Sequence, residues 1–246
     1  MPKIYKMKDK HESFHKDKKL LFNLPLKVGL VGRSQLSGKT NTVAGMLMLP
    51  EFYRHDFAPD DEGTNIFIFS PSAHTDYKLQ ILQETLNIPA SNVFDTYDEN
   101  TMNELYEMLK EEFQEKIATK QKPEHKLFIF DDMSAEGHLK KHKNGVINKI
   151  FSNGRHILIS VLVTSQKYTD IPPFARENLS GGIFFAGTEK QLDNIADDHA
   201  TIDRQLFKDL YRTHTAKPHS FFVVNYSNPP ESRFMDTEFK PIKMPE

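Results

Sequence analysis

The chain of 246 residues contains no cysteine, which removes disulfides, thiolate zinc sites and cysteine nucleophiles from consideration. No apolar run approaches the length of a membrane span, and the N-terminal stretch MPKIYKMKDKHESFHKDKK lacks the apolar centre of a signal peptide. These two absences lead to the expectation of a cytoplasm-like compartment. Charge of one sign is also missing: the net charge is −2, which argues against wholesale coating of nucleic acid while leaving room for a local basic face. With 38% hydrophobic and 27% charged residues, the composition is that of a soluble, somewhat polar globular protein. There is neither an internal repeat nor a linker-like composition shift, so one domain is expected to account for residues 1–246.

What is present centres on residues 26–41, LKVGLVGRSQLSGKTN. An apolar run (Val28, Leu30, Val31) reaches a glycine, crosses a small and polar loop, and closes on Ser37-Gly38-Lys39-Thr40 before a helix-compatible segment, Thr42 to Leu49. Strand, loop and helix in this order turn a phosphate-loop pattern into a structural prediction. Backbone N–H groups of the loop (Gly32, Arg33, Ser34, Gln35, Leu36, Ser37, Gly38, Lys39, Thr40, Asn41) and the helix N-terminus would converge on an anion. Lys39 would reach the β- and γ-phosphates and Thr40 would ligate Mg²⁺. The spacing departs from the standard one. Counting back from Gly38, the first-glycine position falls on Arg33, with Gly32 one residue earlier. Either the loop carries an extra residue or Arg33 takes the turn.

The remaining chain alternates strand and helix patterns. Residues 1–19 are dominated by Lys, His and acids, and are expected to form a solvated arm. Leu20–Leu24 is a short apolar lead, and Pro50–Thr64 reads as a loop. Asn65–Ser70 (NIFIFS) and Val93-Phe94 read as strands. Asp76–Asn87 and Glu99–Lys120 carry helical apolar spacing.

At Lys126–Asp132 (KLFIFDD) an unbroken apolar strand, expected for a parallel strand buried on both faces, delivers two acids at its carboxyl end. Asp131 would hold the Mg²⁺ shell and Asp132 would orient or deprotonate the attacking water. The basic stretch His138–Gly145 is either a solvated loop or a DNA-facing one. A short helix at Val146–Phe151 precedes a second fully apolar strand, Ile157–Val163, ending in Thr164-Ser165-Gln166. Gln166 both donates and accepts hydrogen bonds, which suits a sensor between γ-phosphate and water. A proline-led helix follows within residues 171–178, then a fifth strand at Gly182–Ala186, helices at Thr188–Ala200 and Ile202–Tyr211, and a last strand at Ser220–Asn225. The proline-bearing tail, residues 226–246, is expected to run extended over the surface.

Four blocks, VGRSQLSGKT, FIFSP, LFIFDDM and NGRHILISVLVTSQKYTDIPPFARENLSGGIFF, resemble the FtsK/HerA-type genome-packaging ATPases of double-jelly-roll-capsid viruses. That group includes poxvirus-like, virophage and internal-membrane phage enzymes. The resemblance covers residues 26–187. It implies an α/β P-loop NTPase, a three-layer sandwich with a mainly parallel central sheet of the RecA/FtsK-like, additional-strand type. It further implies an ATP- and Mg²⁺-dependent motor, a homo-oligomeric ring of five or six subunits. Such a motor drives double-stranded DNA, gripped by its backbone without sequence preference, into a preformed capsid through contacts with vertex proteins. The place of action would be the host cytoplasm or the virion. On this resemblance Arg176, with Arg155 second, would be the arginine finger reaching a neighbouring subunit's γ-phosphate. Asp132 stands where related cellular motors carry glutamate. The alternatives are a helicase-like or mobilisation ATPase of the same fold, and a non-motor ATP-binding switch or scaffold.

Overall fold

The computed structural model describes residues 11–19, 21–34, 37–132 and 145–244. Within them lies an eight-stranded sheet of order β3-β2-β4-β5-β1-β6-β7-β8. The strands are β1 (Lys27–Val31), β2 (Ile66–Phe69), β3 (Val93–Phe94), β4 (Lys126–Phe130), β5 (Ile159–Ser165), β6 (Gly181–Phe185), β7 (Phe221–Asn225) and β8 (Phe234–Met235). Strands β1 to β6 are mutually parallel, and β7 and β8 close one edge antiparallel. The helices are α1 (Lys39–Met48), α2 (Arg54–Phe57), α3 (Tyr77–Thr85), α4 (Glu99–Ala118), α5 (Val146–Asn153), α6 (Pro173–Arg176), α7 (Glu189–His199) and α8 (Arg204–His214).

The runs KVGLV, IFIF, KLFIF and ISVLVTS are buried along their whole length, because parallel strands covered on both faces have no solvent side to which polar residues could alternate. Val28 and Leu30 of β1 pack with Val43, Met46 and Leu47 of α1 and Leu82 of α3. Val31, Val161 and Val163 point the other way and join Leu105 and Leu109 of α4, Ile147 and Ile150 of α5, and Phe207 of α8. Three layers result. Strand β5 lies between β1 and β4, so the glycine loop and the paired aspartates come from strands separated by one intervening strand. Several helix starts are fixed by short polar caps that satisfy first-turn N–H groups, Asp76 for α3, Asp98 for α4, Thr188 for α7 and Asp203 for α8.

Some expectations need correction. The tail is not simply extended over the surface: Phe234 and Met235 form β8 against Val224 and Val223, and Phe234, Met235 and Ile242 are buried. Apolar burial on the antiparallel edge draws the chain back. Strand Gly181–Phe185 is the sixth, since Val93-Phe94 does pair with β2. The Pro50–Thr64 segment contains α2 and buries Tyr53 and Phe57. The described part of the N-terminal arm is docked. Lys16 bridges to Leu24, and the Lys16 and Lys18 ammonium groups lie 2.6 and 2.7 Å from the Asp56 carboxylate. Those contacts hold the carboxyl of Asp56 below its ordinary pKa against the opposing effect of burial. Residues 138–144 of the basic stretch lie outside the described residues.

Candidate nucleotide site

The loop after β1 is organised by Gly32. Its N–H donates to the Ser165 carbonyl at 3.0 Å, extending the β1–β5 ladder. A Cβ here would sit 2.5 Å from Ser37 Cβ and 2.8 Å from Phe185 Cβ, closer than any side chain tolerates. Arg33 is not among the positive-φ residues, so it does not take the turn. The glycine that the loop needs is Gly32, and the loop to Gly38 is one residue longer than the standard pattern. Gly38 has φ 87° and caps α1 without a side-chain bond, which leaves the first-turn N–H groups uncapped among the described residues. The Ser37 hydroxyl donates to the Arg33 carbonyl at 2.7 Å. Lys39 Nζ donates to the Gly32 carbonyl at 2.7 Å, which folds the ammonium under the loop. Burial lowers its pKa, while the nearby Asp132 and Asp131 charges pull it back up. Ser34, Thr40 and Asn41 line the same cavity. Gln35 and Leu36 lie outside the described residues.

The acids at the end of β4 face this loop. Asp131 is buried, with Oδ1 accepting from Thr164 Oγ1 at 2.7 Å and Oδ2 from Ser70 Oγ at 3.1 Å. Burial raises its pKa, the two hydroxyl donors counteract, and the neighbouring Asp132 charge adds to the rise. Asp132 adopts φ 52°, a left-handed conformation that aspartate tolerates better than most residues. Its N–H donates to Thr164 Oγ1 at 3.1 Å, and its Oδ2 accepts from Gln166 Nε2 at 2.8 Å. Its Oδ1 is buried without a hydrogen-bond partner among the described residues. Lys39, Thr40, Asp131 and Asp132 therefore meet in one cavity of about 340 Å³, and Gln166 reaches it through Asp132.

Sequence reasoning missed four residues of this cavity, Ser72, Asp76, Lys78 and His219, and the supporting hydroxyl of Ser70. A signal existed for the serines, since they follow the carboxyl end of β2, the neighbour of β4. None existed for His219, which arrives from the α8–β7 connection with φ 61°. A second cavity of about 310 Å³ adjoins the loop on the β6 side, lined by Arg33, Phe185, Ala186, Lys217 and His219.

The two candidate fingers differ. Arg176 is held within the chain by an ion pair with Asp198 and lies over the Tyr168 ring, 4.9 Å from its centroid. Tyr168 donates to the same carboxylate at 2.7 Å and contacts His199 Nε2 at 2.9 Å. Arg155, in the turn before β5, is exposed and has no ion-pair partner among the described residues. Neither arginine lines the cavity that holds Lys39.

A parallel sheet with an extra strand between the glycine-loop strand and the aspartate strand defines an α/β P-loop NTPase. The family model for the Poxvirus A32 protein matches residues 12–225, and the chain belongs to that family. Among solved structures, the genome packaging NTPase B204 from Sulfolobus turreted icosahedral virus 2 in complex with sulfate shares the fold. It is 19% identical, with a TM-score of 0.56 over 89% of this chain and 98% of that one. The B204 complex with ATP-gammaS is 16% identical, with a TM-score of 0.52 over 85% and 95%. EssC (ATPases 2 and 3) from Geobacillus thermodenitrificans is 14% identical, with a TM-score of 0.52 over 70% of this chain and 34% of that one. No curated protein matches the sequence. Among the described residues no helix is long and apolar enough to cross a membrane.

Proposed function

We propose that the chain is a genome-packaging ATPase that hydrolyses ATP to drive double-stranded DNA into a viral capsid. The observation that carries this reading is the convergence of Lys39, Asp131 and Asp132 on one cavity at the carboxyl ends of the strands, in a chain of the A32 family. ATP lies with its phosphates along the Gly32–Thr40 loop. Asp131, Asp132 and Gln166 stand on the β4–β5 side, so the γ-phosphate points there, and the nucleoside leaves toward the cavity on the β6 side.

The donor set fits Mg²⁺. The Thr40 hydroxyl and the buried Asp131 carboxylate would hold it, and when bound it would supply positive charge against the phosphates. Lys39 leaves the Gly32 carbonyl for the phosphates and compensates their charge. Asp132 has a buried oxygen, Oδ1, without a partner among the described residues, which accepts a hydrogen bond from the attacking water while Gln166 fixes Oδ2. Asp132 thereby aligns the water and takes up its proton as the P–O bond to the leaving ADP breaks.

The transition-state charge calls for an arginine in trans. Arg155 suits that role better than Arg176, because it is exposed and without an ion-pair partner among the described residues, whereas Arg176 is committed to Asp198. A homo-oligomeric ring in which each subunit presents Arg155 to its neighbour follows, acting at the capsid vertex in the host cytoplasm or the virion. DNA contact is to backbone phosphates. The test is Asp132→Asn: ATP binding by calorimetry should persist while steady-state hydrolysis falls by at least ~100-fold. Unchanged hydrolysis would remove Asp132 from the mechanism.

A further inference from the structure

Behind the nucleotide cavity, on the α7 side of the sheet's carboxyl end, lies a separate cavity of about 450 Å³. Its walls carry three cations, Arg33 from the glycine loop, Lys167 just after β5 and Lys190 in the first turn of α7. None of the three has an ion-pair partner among the described residues, and no Asp or Glu among them lines the cavity. This contrasts with the adjoining face of α7 and α8, where Lys208, Arg204 and Arg212 are each matched to acids. The N-cap Thr188 also lines it, and the one acid in the first turn of α7, Glu189, is drawn to Lys208 and Arg212 of α8, so the N-terminal end of the 11-residue α7 faces the cavity.

We infer that this cavity is a phosphodiester site, where the backbone of the translocated DNA is held against the rear of the nucleotide site. Three uncompensated cations with a helix N-terminus and no acid form a phosphate receptor, and the cavity is open to solvent through the exposed Lys167 and Lys190. Its position has a functional consequence. Gln191 Nε2, on the cavity wall, donates to the Gln166 carbonyl at 3.4 Å, and the Gln166 side chain holds Asp132 at 2.8 Å. A phosphate drawn between Lys167 and Lys190 therefore acts one residue away from the group that fixes Asp132, and Arg33 belongs to both cavities flanking it. DNA occupancy and hydrolytic competence become linked through Gln166. The inference rests on the ATPase reading above and extends it to the DNA-binding residues.

The experiment compares wild type with the double variant Lys167→Ala/Lys190→Ala, using a 30-base-pair duplex as probe. Duplex affinity is measured against salt, and ATPase is measured with and without duplex. The double variant should show a log K versus log [salt] slope shallower by about 1.8, two phosphate contacts at about 0.9 each. It should lose stimulation by DNA while keeping the DNA-free rate. Lys167→Arg/Lys190→Arg should restore both. An unchanged slope and unchanged stimulation in a variant with wild-type DNA-free ATPase overturns the DNA site alone. A changed sedimentation profile with unchanged duplex binding overturns it in favour of a protein contact. Loss of duplex binding to millimolar inorganic phosphate, with no stimulation by DNA in wild type, overturns it in favour of a free-phosphate site. Absence of any hydrolysis in wild type defeats the ATPase reading instead.

Discussion

Thr164→Val removes one hydroxyl and leaves a side chain of nearly the same shape, so it separates hydrogen bonding from packing at the centre of the site. Thr164 is fully buried and serves both aspartates, donating to Asp131 Oδ1 at 2.7 Å and accepting from the Asp132 N–H at 3.1 Å. A hydrogen bond to a charged group contributes about 1.5–3 kcal/mol, and leaving a buried donor unsatisfied costs about 1–3 kcal/mol. With Ser70 still donating to Asp131, the loss should be about 3 kcal/mol. At about 2–4 °C per kcal/mol for a chain of this length, the melting temperature should fall by about 6–12 °C.

The pH dependence gives a second check. Burial already raises the Asp131 pKa and the Thr164 donor opposes that rise; without the donor the pKa climbs further. A raised carboxyl contributes stability that is present below the ordinary value of 3.8 and lost as pH rises through the folded value. The gap between variant and wild type should therefore be smallest in acid and widen toward neutrality. Thermal and urea denaturation from pH 3.5 to 7.5, with Thr164→Ser as the hydroxyl-retaining control, measures both quantities. A loss under 1 kcal/mol, or one that does not change with pH, would refute the role assigned to this hydroxyl.

Gly32→Ala places a methyl group 2.5 Å from Ser37 Cβ, and overpacking of about 1–3 kcal/mol should lower ATP affinity at least ~5-fold by calorimetry; wild-type affinity would mean that the loop tolerates another geometry. Lys27 is buried, donates to the Phe151 carbonyl, and burial with the nearby Arg155 charge lowers its pKa to about 8. A depressed lysine contributes stability that is present above 10.5 and lost as pH falls through about 8. Wild type should thus gain up to about 3 kcal/mol from this group across that interval, a gain that Lys27→Met abolishes in denaturation curves. Arg155→Ala should leave stability within about 0.5 kcal/mol of wild type and reduce hydrolysis ~1,000-fold. Arg176→Ala should instead cost about 1–2 kcal/mol through the lost Tyr168 and Asp198 contacts; the opposite pattern would return the finger to Arg176.

The parallel strands and the gathering of polar residues at their carboxyl ends were legible because both are written locally. An unbroken apolar run such as LFIF requires cover on both faces; DD and TSQ each follow such a run directly, and SGKT follows one across a five-residue loop. What stayed hidden depends on partners remote in sequence. Local counting cannot choose between Gly32 and Arg33, because the deciding contact is with Phe185 on another strand. Arg176 read as a free finger, yet its Asp198 partner sits a helix away. His219 enters the site from the α8–β7 connection, whose sequence carries no phosphate-binding pattern. The two residues of β8 are too few for any periodicity, and their pairing follows from the exposed edge that β7 would otherwise leave.

In the proposed motor, neighbouring subunits complete each other's sites on DNA. Steady-state ATPase of the purified protein as a function of its concentration, with and without long double-stranded DNA, tests this most directly. Specific activity should rise steeply with concentration, as a trans arginine requires, and DNA should stimulate it. Specific activity that is constant with concentration and indifferent to DNA would contradict the motor reading and leave an ATP-binding switch of the same fold.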